Sequence, residues 1–197
     1  MDLPSAFART ELVLGGQKSG KSRHAEERAR AWLPACGGHR AVLVATGQAR
    51  DAEMAARIAR HRRDRALRVP GMATVEEPLL LAQKIAELSR PEVLVIVDCM
   101  TLWLTNWLMP ADGPGQDEPA PLPGFDAQAA LLFGALAEAR GPVILVSNEI
   151  GLGVIPMGRH VRAFVDALGT LNQRLAQACE RVTLVSAGLP LALKGRP

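Results

Sequence analysis

The chain has 197 residues, of which 48% are hydrophobic, and this is enough for one domain with a full-sized core. A net charge of +3 is too small to indicate a nucleic-acid partner by itself, and three widely spaced cysteines form neither a disulfide framework nor a zinc site. The N-terminus lacks the pattern of a secretory signal, and the longest apolar stretch (93–109) is short for a membrane span, so a cytoplasmic protein with reduced thiols is expected.

Short apolar runs alternate with helical segments along the chain. In chain order, the predicted elements are a flexible leader (1–10), a strand (11–14), a helix (19–32), a strand (41–45), a helix (51–64), a helix (77–88), a strand (93–97), a helix (101–108), a proline- and glycine-rich surface loop (110–124), a helix (125–139), a strand (143–146), a helix (159–179) and a strand (182–185). This alternation predicts an α/β fold for a single domain spanning 11–197, a three-layer sandwich with a mainly parallel sheet.

The strongest motif follows the first predicted strand. It reads G-x-x-x-x-G-K-S and consists of Gly15, Gly16, Gln17, Lys18, Ser19, Gly20, Lys21 and Ser22. A strand before it and a helix after it are the context that a phosphate-binding loop requires, which argues against an accidental glycine turn. With this motif, the predicted sandwich is that of a P-loop NTPase-like nucleotide-binding domain. Backbone N–H groups would wrap the phosphates, Lys21 would reach the β- and γ-phosphates, and the Ser22 hydroxyl would bind Mg²⁺.

Asp98 ends the apolar run Val-Leu-Val-Ile-Val, which is typical of a central parallel strand. An acidic residue at this place holds or orients Mg²⁺ in P-loop proteins. The alternative is a cap for the following helix. Together with the loop at Gly15, the pattern favours the metal role.

His61 lies in a helix among five arginines (Arg57, Arg60, Arg62, Arg63 and Arg65) and on the same face as Met54 and Ile58. A neutral imidazole can attack phosphorus, and nearby guanidinium groups can stabilise the charge of the transition state. Local sequence alone leaves open the alternative of a structural histidine on a solvated basic face.

Motifs along almost the whole chain resemble the bifunctional adenosylcobinamide kinase/adenosylcobinamide-phosphate guanylyltransferase family. Besides the phosphate-binding loop, they include Ala45-Thr46, Asp51-Ala52-Glu53-Met54, Arg57-Ile58 with His61, Thr74 with Glu76-Glu77-Pro78, Val97-Asp98-Cys99, Thr101-Leu102-Trp103 with Thr105-Asn106, Ser147-Asn148-Glu149-Ile150-Gly151, Asn172-Gln173-Arg174-Leu175, and Ser186-Ala187-Gly188-Leu189-Pro190. Two features depart from the family pattern: Met72 stands where a tryptophan is usual, and the stretch from His61 to Glu76 is a few residues longer.

The resemblance implies phosphorylation of adenosylcobinamide, and transfer of GMP from GTP through a guanylylated histidine, which His61 matches. It also implies Mg²⁺, GTP and ATP as small-molecule ligands, a corrinoid substrate, and a homotrimer with neither a nucleic-acid partner nor a membrane span. The catalytic residues are then His61 and Lys21. Beyond the phosphate-binding loop, the implied nucleotide contacts are Ala45, Thr46, Gly47, Arg62, Arg63, Asp64, Arg65, Glu76 and Asp98, and the implied metal ligands are Ser22 and Asp98.

Two other functions remain open at this point. One is a monofunctional P-loop kinase for another small molecule, with a structural His61. The other is an NTP-regulated nucleic-acid-binding module that uses the basic helix, although the chain has no tyrosine and only four phenylalanines to stack on bases.

Overall fold

The computed structural model describes residues 7–110, 122–154 and 156–195. Its strands are β1 (Thr10–Gly15), β2 (Arg40–Ala45), β3 (Ala73–Glu76), β4 (Val93–Asp98), β5 (Val143–Asn148), β6 (Arg181–Ser186) and β7 (Leu189–Lys194). Its helices are α1 (Lys21–Trp32), α2 (Ala52–Arg68), α3 (Leu81–Leu88), α4 (Met100–Leu108), α5 (Phe125–Ala137) and α6 (Arg159–Ala178).

The strands form one seven-stranded sheet in the order β3-β2-β4-β5-β1-β6-β7. The pairings among β1 to β6 are parallel, and β7 alone runs antiparallel, along β6. Alternate residues of β4 enter two apolar clusters, one with side chains of α3, α4, α5 and α6 and the other with side chains of α1. Helices therefore cover both faces, and the predicted three-layer α/β fold with a mainly parallel sheet is confirmed.

The structure confirms the predicted central strands. Continuous apolar runs suit strands that are covered on both faces. Every residue from Val93 to Val97 is buried. The predicted cap of α2 is also confirmed, since the Asp51 carboxylate accepts a hydrogen bond from Met54 N at 2.7 Å. That helix continues to Arg68, beyond the predicted end, and stops just before Pro70.

Two edge strands were not predicted from the sequence. The four residues of β3 are mostly exposed, and all six of β7 are exposed, so neither has a burial pattern that stands out from a loop. The helix predicted from residue 77 begins instead at Leu81, because the Glu77 carboxylate accepts hydrogen bonds from Leu79 N and Leu80 N and closes a turn there.

The predicted leader is described only from Phe7. Its ring packs edge-on against Trp32, and the Arg28 guanidinium lies 4.6 Å from the centre of the Phe7 ring. Most of the predicted loop at 110–124 lies outside the described residues. Among the helices that the structure describes, none is long and apolar enough to cross a membrane.

Candidate functional site

The site is built at the edge of the sheet where the parallel strands β1, β2, β4 and β5 end. In a parallel sheet the carboxyl ends of neighbouring strands meet, and the loops that follow them form a crevice. Here Gly15 pairs in register with Asn148, and Ala45 pairs with Asp98. The strand register alone therefore brings the phosphate-binding loop, Asp98 and Asn148 to one edge.

The phosphate-binding loop connects β1 to α1 and packs closely against the end of β6 and the turn that follows it. A side chain at Gly15 would overlap Ser19 Oγ and would come within 2.6 Å of the Val185 carbonyl oxygen. Gly20 has a φ of 100°, a conformation that favours glycine. Ser19 O accepts a hydrogen bond of 2.8 Å from Gly188 N, so the turn between β6 and β7 fixes the position of the loop.

Three neighbouring cavities surround α2, and we call them inner, outer and lateral. The inner cavity lies between the phosphate-binding loop, α2 and the ends of β4 and β5. The outer cavity lies between the phosphate-binding loop and α2, and the lateral cavity lies between α2, β3 and the loop after β2. The inner cavity brings together nine of the predicted site residues, namely Gln17, Lys21, Ser22, Ala45, Gly47, His61, Arg62, Arg65 and Asp98.

His61 lines both the inner and the outer cavity, so it faces the phosphate-binding loop across the crevice. Met54 and Ile58 line the inner cavity with it, as their shared helix face predicted. Partial burial is the main cause that lowers the pKa of His61, and Arg57, Arg65 and Arg60 lower that pKa further, while Asp98 acts in the opposite direction. The lowered pKa favours the neutral form of the imidazole.

Lys21 is buried, and its Nζ donates a hydrogen bond of 3.1 Å to Gly16 O. Burial is the main cause that lowers the pKa of Lys21; Cys99 and Asp98 oppose the shift, and Arg57 adds to it. The ammonium group thus lies within electrostatic reach of both Asp98 and Arg57, and Lys21 lines both the inner and the outer cavity.

The arginines of α2 fall into different environments. Arg62 forms an ion pair with Glu76 beside the lateral cavity, and the buried Arg65 pairs with Glu26 at 3.6 Å. Arg57 lines both the inner and the outer cavity. It is one of the arginines expected to stabilise charge near His61, but it was not among the implied nucleotide contacts. Of the predicted contacts, Arg63 and Asp64 are exposed and line none of the three cavities.

Thr46 serves as an internal support. Its hydroxyl donates to Cys99 O at 2.7 Å and accepts from Cys99 N at 2.9 Å, and its side chain is fully buried. Asn106 Nδ2 donates both to Thr46 O at 2.8 Å and to Pro78 O at 3.0 Å. These bonds hold the segment after Asp98 against the loop after β2.

The predicted metal ligands, Ser22 and Asp98, line the inner cavity together. A hydroxyl and a carboxylate are hard oxygen donors, which fit Mg²⁺ when substrate phosphates and water complete its coordination. Among the described residues, no group of three or more His, Cys, Asp or Glu side chains could hold a metal ion without such help. The donor set therefore fits a metal that arrives with a nucleotide.

Sequence reasoning gave no role to Asn148, which lines the inner cavity, or to Asn106. Both occur in motifs that carry the family resemblance, and Asn148 ends an apolar strand as Asp98 does. The signal that could have identified Asn148 in the sequence is its position, because it is a polar residue at the end of a buried apolar strand.

The chain resembles known proteins over almost its whole described length. Residues 11–193 match the family model described as cobinamide kinase / cobinamide phosphate guanyltransferase. The bifunctional adenosylcobalamin biosynthesis protein CobP of Pseudomonas aeruginosa is 46% identical over 187 residues, which are 95% of this chain and 98% of the relative. The bifunctional adenosylcobalamin biosynthesis protein CobU of Escherichia coli is 37% identical over 188 residues, which are 93% of this chain and 98% of the relative.

A solved structure supports the fold alone. The flagellar accessory protein FlaH of Methanocaldococcus jannaschii superposes with a TM-score of 0.50 at 12% identity, and the match covers 96% of this chain and 80% of that one. The family, in contrast, follows from the sequence match over most of the chain. The chain belongs to the cobinamide kinase / cobinamide phosphate guanyltransferase family.

Proposed function

We propose that one nucleotide site in this chain serves two reactions, phosphorylation of adenosylcobinamide and transfer of GMP from GTP to adenosylcobinamide phosphate through a guanylylated His61. The observation that carries the proposal is the inner cavity, because the phosphate-binding Lys21 and the nucleophile candidate His61 line the same space. A nucleotide held by the phosphate-binding loop would therefore lie in the same cavity as both Lys21 and His61.

In the guanylyl transfer, a ring nitrogen of neutral His61 attacks the α-phosphorus of GTP. A phosphorus–nitrogen bond forms, the bond to the β-phosphate oxygen breaks, and pyrophosphate leaves. A phosphate oxygen of adenosylcobinamide phosphate then attacks the same phosphorus and releases the imidazole, which gives adenosyl-GDP-cobinamide. The lowered pKa of His61 supports the first step, since only the unprotonated ring can attack.

The charge that develops on the leaving pyrophosphate needs fixed cations. Lys21 lines both the inner and the outer cavity, and so does Arg57, so both lie where the phosphate chain would run. Mg²⁺ held by Ser22 and Asp98 would supply further positive charge there.

The kinase reaction uses the same phosphate-binding loop and the same cations for a different transfer. The terminal phosphoryl group of the nucleotide passes to the hydroxyl of the aminopropanol arm, and this transfer requires positioning and charge stabilisation rather than a protein nucleophile. Lys21 therefore acts in both reactions, whereas His61 acts in one. Homotrimeric assembly, a cytoplasmic location and the absence of a nucleic-acid partner also belong to this proposal, and they rest on the family resemblance.

The test is covalent labelling with GTP that carries a radioactive α-phosphate. We expect one GMP adduct per chain, stable to base and labile to acid, which adenosylcobinamide phosphate discharges to product. His61→Asn should abolish the adduct and the guanylyl product while kinase activity stays measurable. His160→Asn, at an exposed histidine of α6, is the matched control and should label normally.

Mass spectrometry of the labelled chain decides the assignment. A GMP mass on a residue other than His61, or full guanylyl transfer by His61→Asn, would overturn the proposed intermediate. Kinase activity without any adduct in the wild-type chain would instead favour the monofunctional kinase.

A further inference from the structure

The helix that carries His61 lacks the usual apolar attachment to the rest of the protein. Of the 17 residues of α2, all of which the structure describes, only Arg65 is buried. A helix on the surface of a protein normally packs through a stripe of apolar side chains, as α6 does through three buried leucines. The partly buried Met54 and Ile58 of α2 line the inner cavity instead. Polar contacts must therefore contribute much of what holds α2 in place.

A buried carboxylate of α1 makes the main contacts of this kind. Glu26 lies one helical turn after Ser22, and its side chain is only 4% exposed. Its Oε2 accepts a hydrogen bond of 2.6 Å from Arg68 Nε, and its Oε1 lies 3.6 Å from Arg65 Nε, which is an ion pair longer than a hydrogen bond. Arg65 Nη1 also donates to Thr74 Oγ1 of β3 at 3.2 Å. We call Glu26, Arg65 and Arg68 the Glu26 cluster.

The Glu26 cluster lies close to both sides of the candidate site. Arg65 follows His61 by one helical turn on the same face of α2, and both residues line the inner cavity. Glu26 lies in the second turn of α1, a helix whose first residue is the phosphate-binding Lys21. A shift of Arg65 relative to Glu26 would therefore change the position of His61 relative to the phosphate-binding loop.

Burial makes the Glu26 cluster more decisive than the other ion pairs of α2. A buried carboxylate that loses its cations is left uncompensated at a large cost in free energy, so the helix is stable where Arg65 and Arg68 meet Glu26. The pair between Arg62 and Glu76 is different, because both side chains are more than half exposed. Such a surface pair contributes little to the position of a helix.

We propose that Glu26 is a positioning residue for guanylyl transfer, which acts through Arg65 and Arg68 to hold His61 opposite the phosphate-binding loop. This inference rests on the proposed function, in which His61 is the nucleophile. Phosphoryl transfer to the corrinoid hydroxyl needs no nucleophile from α2, so Glu26 affects guanylyl transfer far more than the kinase reaction. Glu26 and Arg68 lie outside the inner, outer and lateral cavities, so their effect is not a nucleotide contact.

The test compares substitutions that change one charge of the Glu26 cluster. Glu26→Gln keeps the size of the side chain, Arg68→Met removes a cation, and Arg68→Lys retains one. Glu27→Gln is the matched control, because Glu27 is the next residue of α1 and forms an exposed pair with Arg23. At saturating GTP, each variant is assayed for single-turnover GMP labelling and for kinase turnover. Hydrogen exchange of the free chain records how often α2 opens.

We expect Glu26→Gln to slow labelling by about tenfold to a hundredfold, because a misplacement of about 1 Å can reduce a rate on this scale. Kinase turnover should stay close to the wild-type rate. The amides of α2 should exchange faster, while those of β1 and β4 keep their protection. Glu27→Gln should match the wild-type chain in all three measurements.

The Arg68 variants test whether the Glu26 cluster acts as one unit. Arg68→Met should slow labelling although Arg68 lines none of the three cavities, and Arg68→Lys should restore part of the rate. When Arg68→Met is added to Glu26→Gln, it should cause little further loss, because the two residues share one interaction. If Glu26→Gln does not fold, Arg68→Met and Arg68→Lys decide the question by the same measurements.

Three results would overturn the inference. The first is labelling at the wild-type rate in Glu26→Gln. The second is an equal loss of labelling and kinase turnover, which would assign Glu26 to the stability of the fold. The third is slower labelling with unchanged hydrogen exchange in α2, which would mean that Glu26 does not act through the position of that helix. If the wild-type chain forms no GMP adduct, it is the proposed function that fails, and hydrogen exchange still decides whether Glu26 holds α2.

Discussion

Arg57 has a setting at the residue scale that the other arginines of α2 lack. It lies in electrostatic reach of both His61 and Lys21, whose pKa values it lowers, and it lines the two cavities on either side of the imidazole. Arg62 and Arg65, in contrast, already pair with glutamates. Arg57 is therefore available to a bound phosphate chain.

We predict that Arg57→Met lowers the rate of adduct formation about a hundredfold, the usual effect of removing one charge-stabilising donor. It should also move the pH profile. In the wild-type chain, adduct formation should be lost as the pH falls through the lowered pKa of His61, at a pH below the ordinary imidazole value of 6.5. Without the like charge of Arg57, the pKa of His61 rises, so the loss should begin at higher pH.

Single-turnover labelling with GTP across pH 5–8 measures both effects. Arg30→Met is a suitable control, because Arg30 is an exposed arginine of α1 that lines neither the inner nor the outer cavity. An Arg57→Met profile that coincides with the wild-type profile in rate and midpoint would show that Arg57 has no role in the site.

At the element scale, the loop after β2 and the end of β4 form one bonded unit. The Thr46 hydroxyl bonds both backbone groups of Cys99, which directly follows Asp98. Asn106 of α4 then ties Thr46 O to Pro78 O. Thr46 was predicted as a nucleotide contact, and this structure gives its side chain a supporting role for Asp98.

Substitutions of Thr46 distinguish a role in holding the backbone of Cys99 from a role in catalysis. Thr46→Val exchanges the hydroxyl for a methyl group. It leaves the Cys99 N–H buried and unpaired, while Cys99 O keeps the hydrogen bond from Trp103 N, so the free energy of unfolding should fall by about 1–3 kcal/mol. Kinase activity should fall as well, through a raised requirement for Mg²⁺. Thr46→Ser keeps the hydroxyl and should restore most of both quantities.

Urea unfolding and a Mg²⁺ titration of kinase activity give the two measurements. Equal stability of the Val and Ser variants would show that the bonds to Cys99 contribute little. A stability loss in Thr46→Val with a normal Mg²⁺ requirement would show that Thr46 does not influence the metal site at Asp98.

The sequence predicted those elements that burial defines. Apolar runs such as Val93–Val97 identify central strands, but the exposed β3 and β7 carry no such signal, and their pairing with β2 and β6 is decided by tertiary contacts. The same limit applies at the site. The loop at Gly15 is recognisable as a motif, whereas Asn148 becomes interpretable only when β5 is seen beside β1.

On the scale of the whole molecule, strand order explains how one chain could support two reactions. The ends of β1, β4 and β5 place the phosphate-binding loop, Asp98 and Asn148 on one side of the crevice, and α2 supplies His61 and Arg57 from the other. The two sides come from separate parts of the chain. Substitutions on the sheet side should therefore affect both reactions, while His61 on α2 should affect one.

Lys21→Ala tests this central claim most directly, with both activities measured on the same preparation. The account predicts that kinase turnover and GMP adduct formation both fall by about a hundredfold or more, because one buried cation serves the phosphates in each reaction. Lys84→Ala, at a surface lysine paired with Glu87, should leave both unchanged. If Lys21→Ala abolished one activity and left the other at the wild-type rate, the two reactions would not share a nucleotide site.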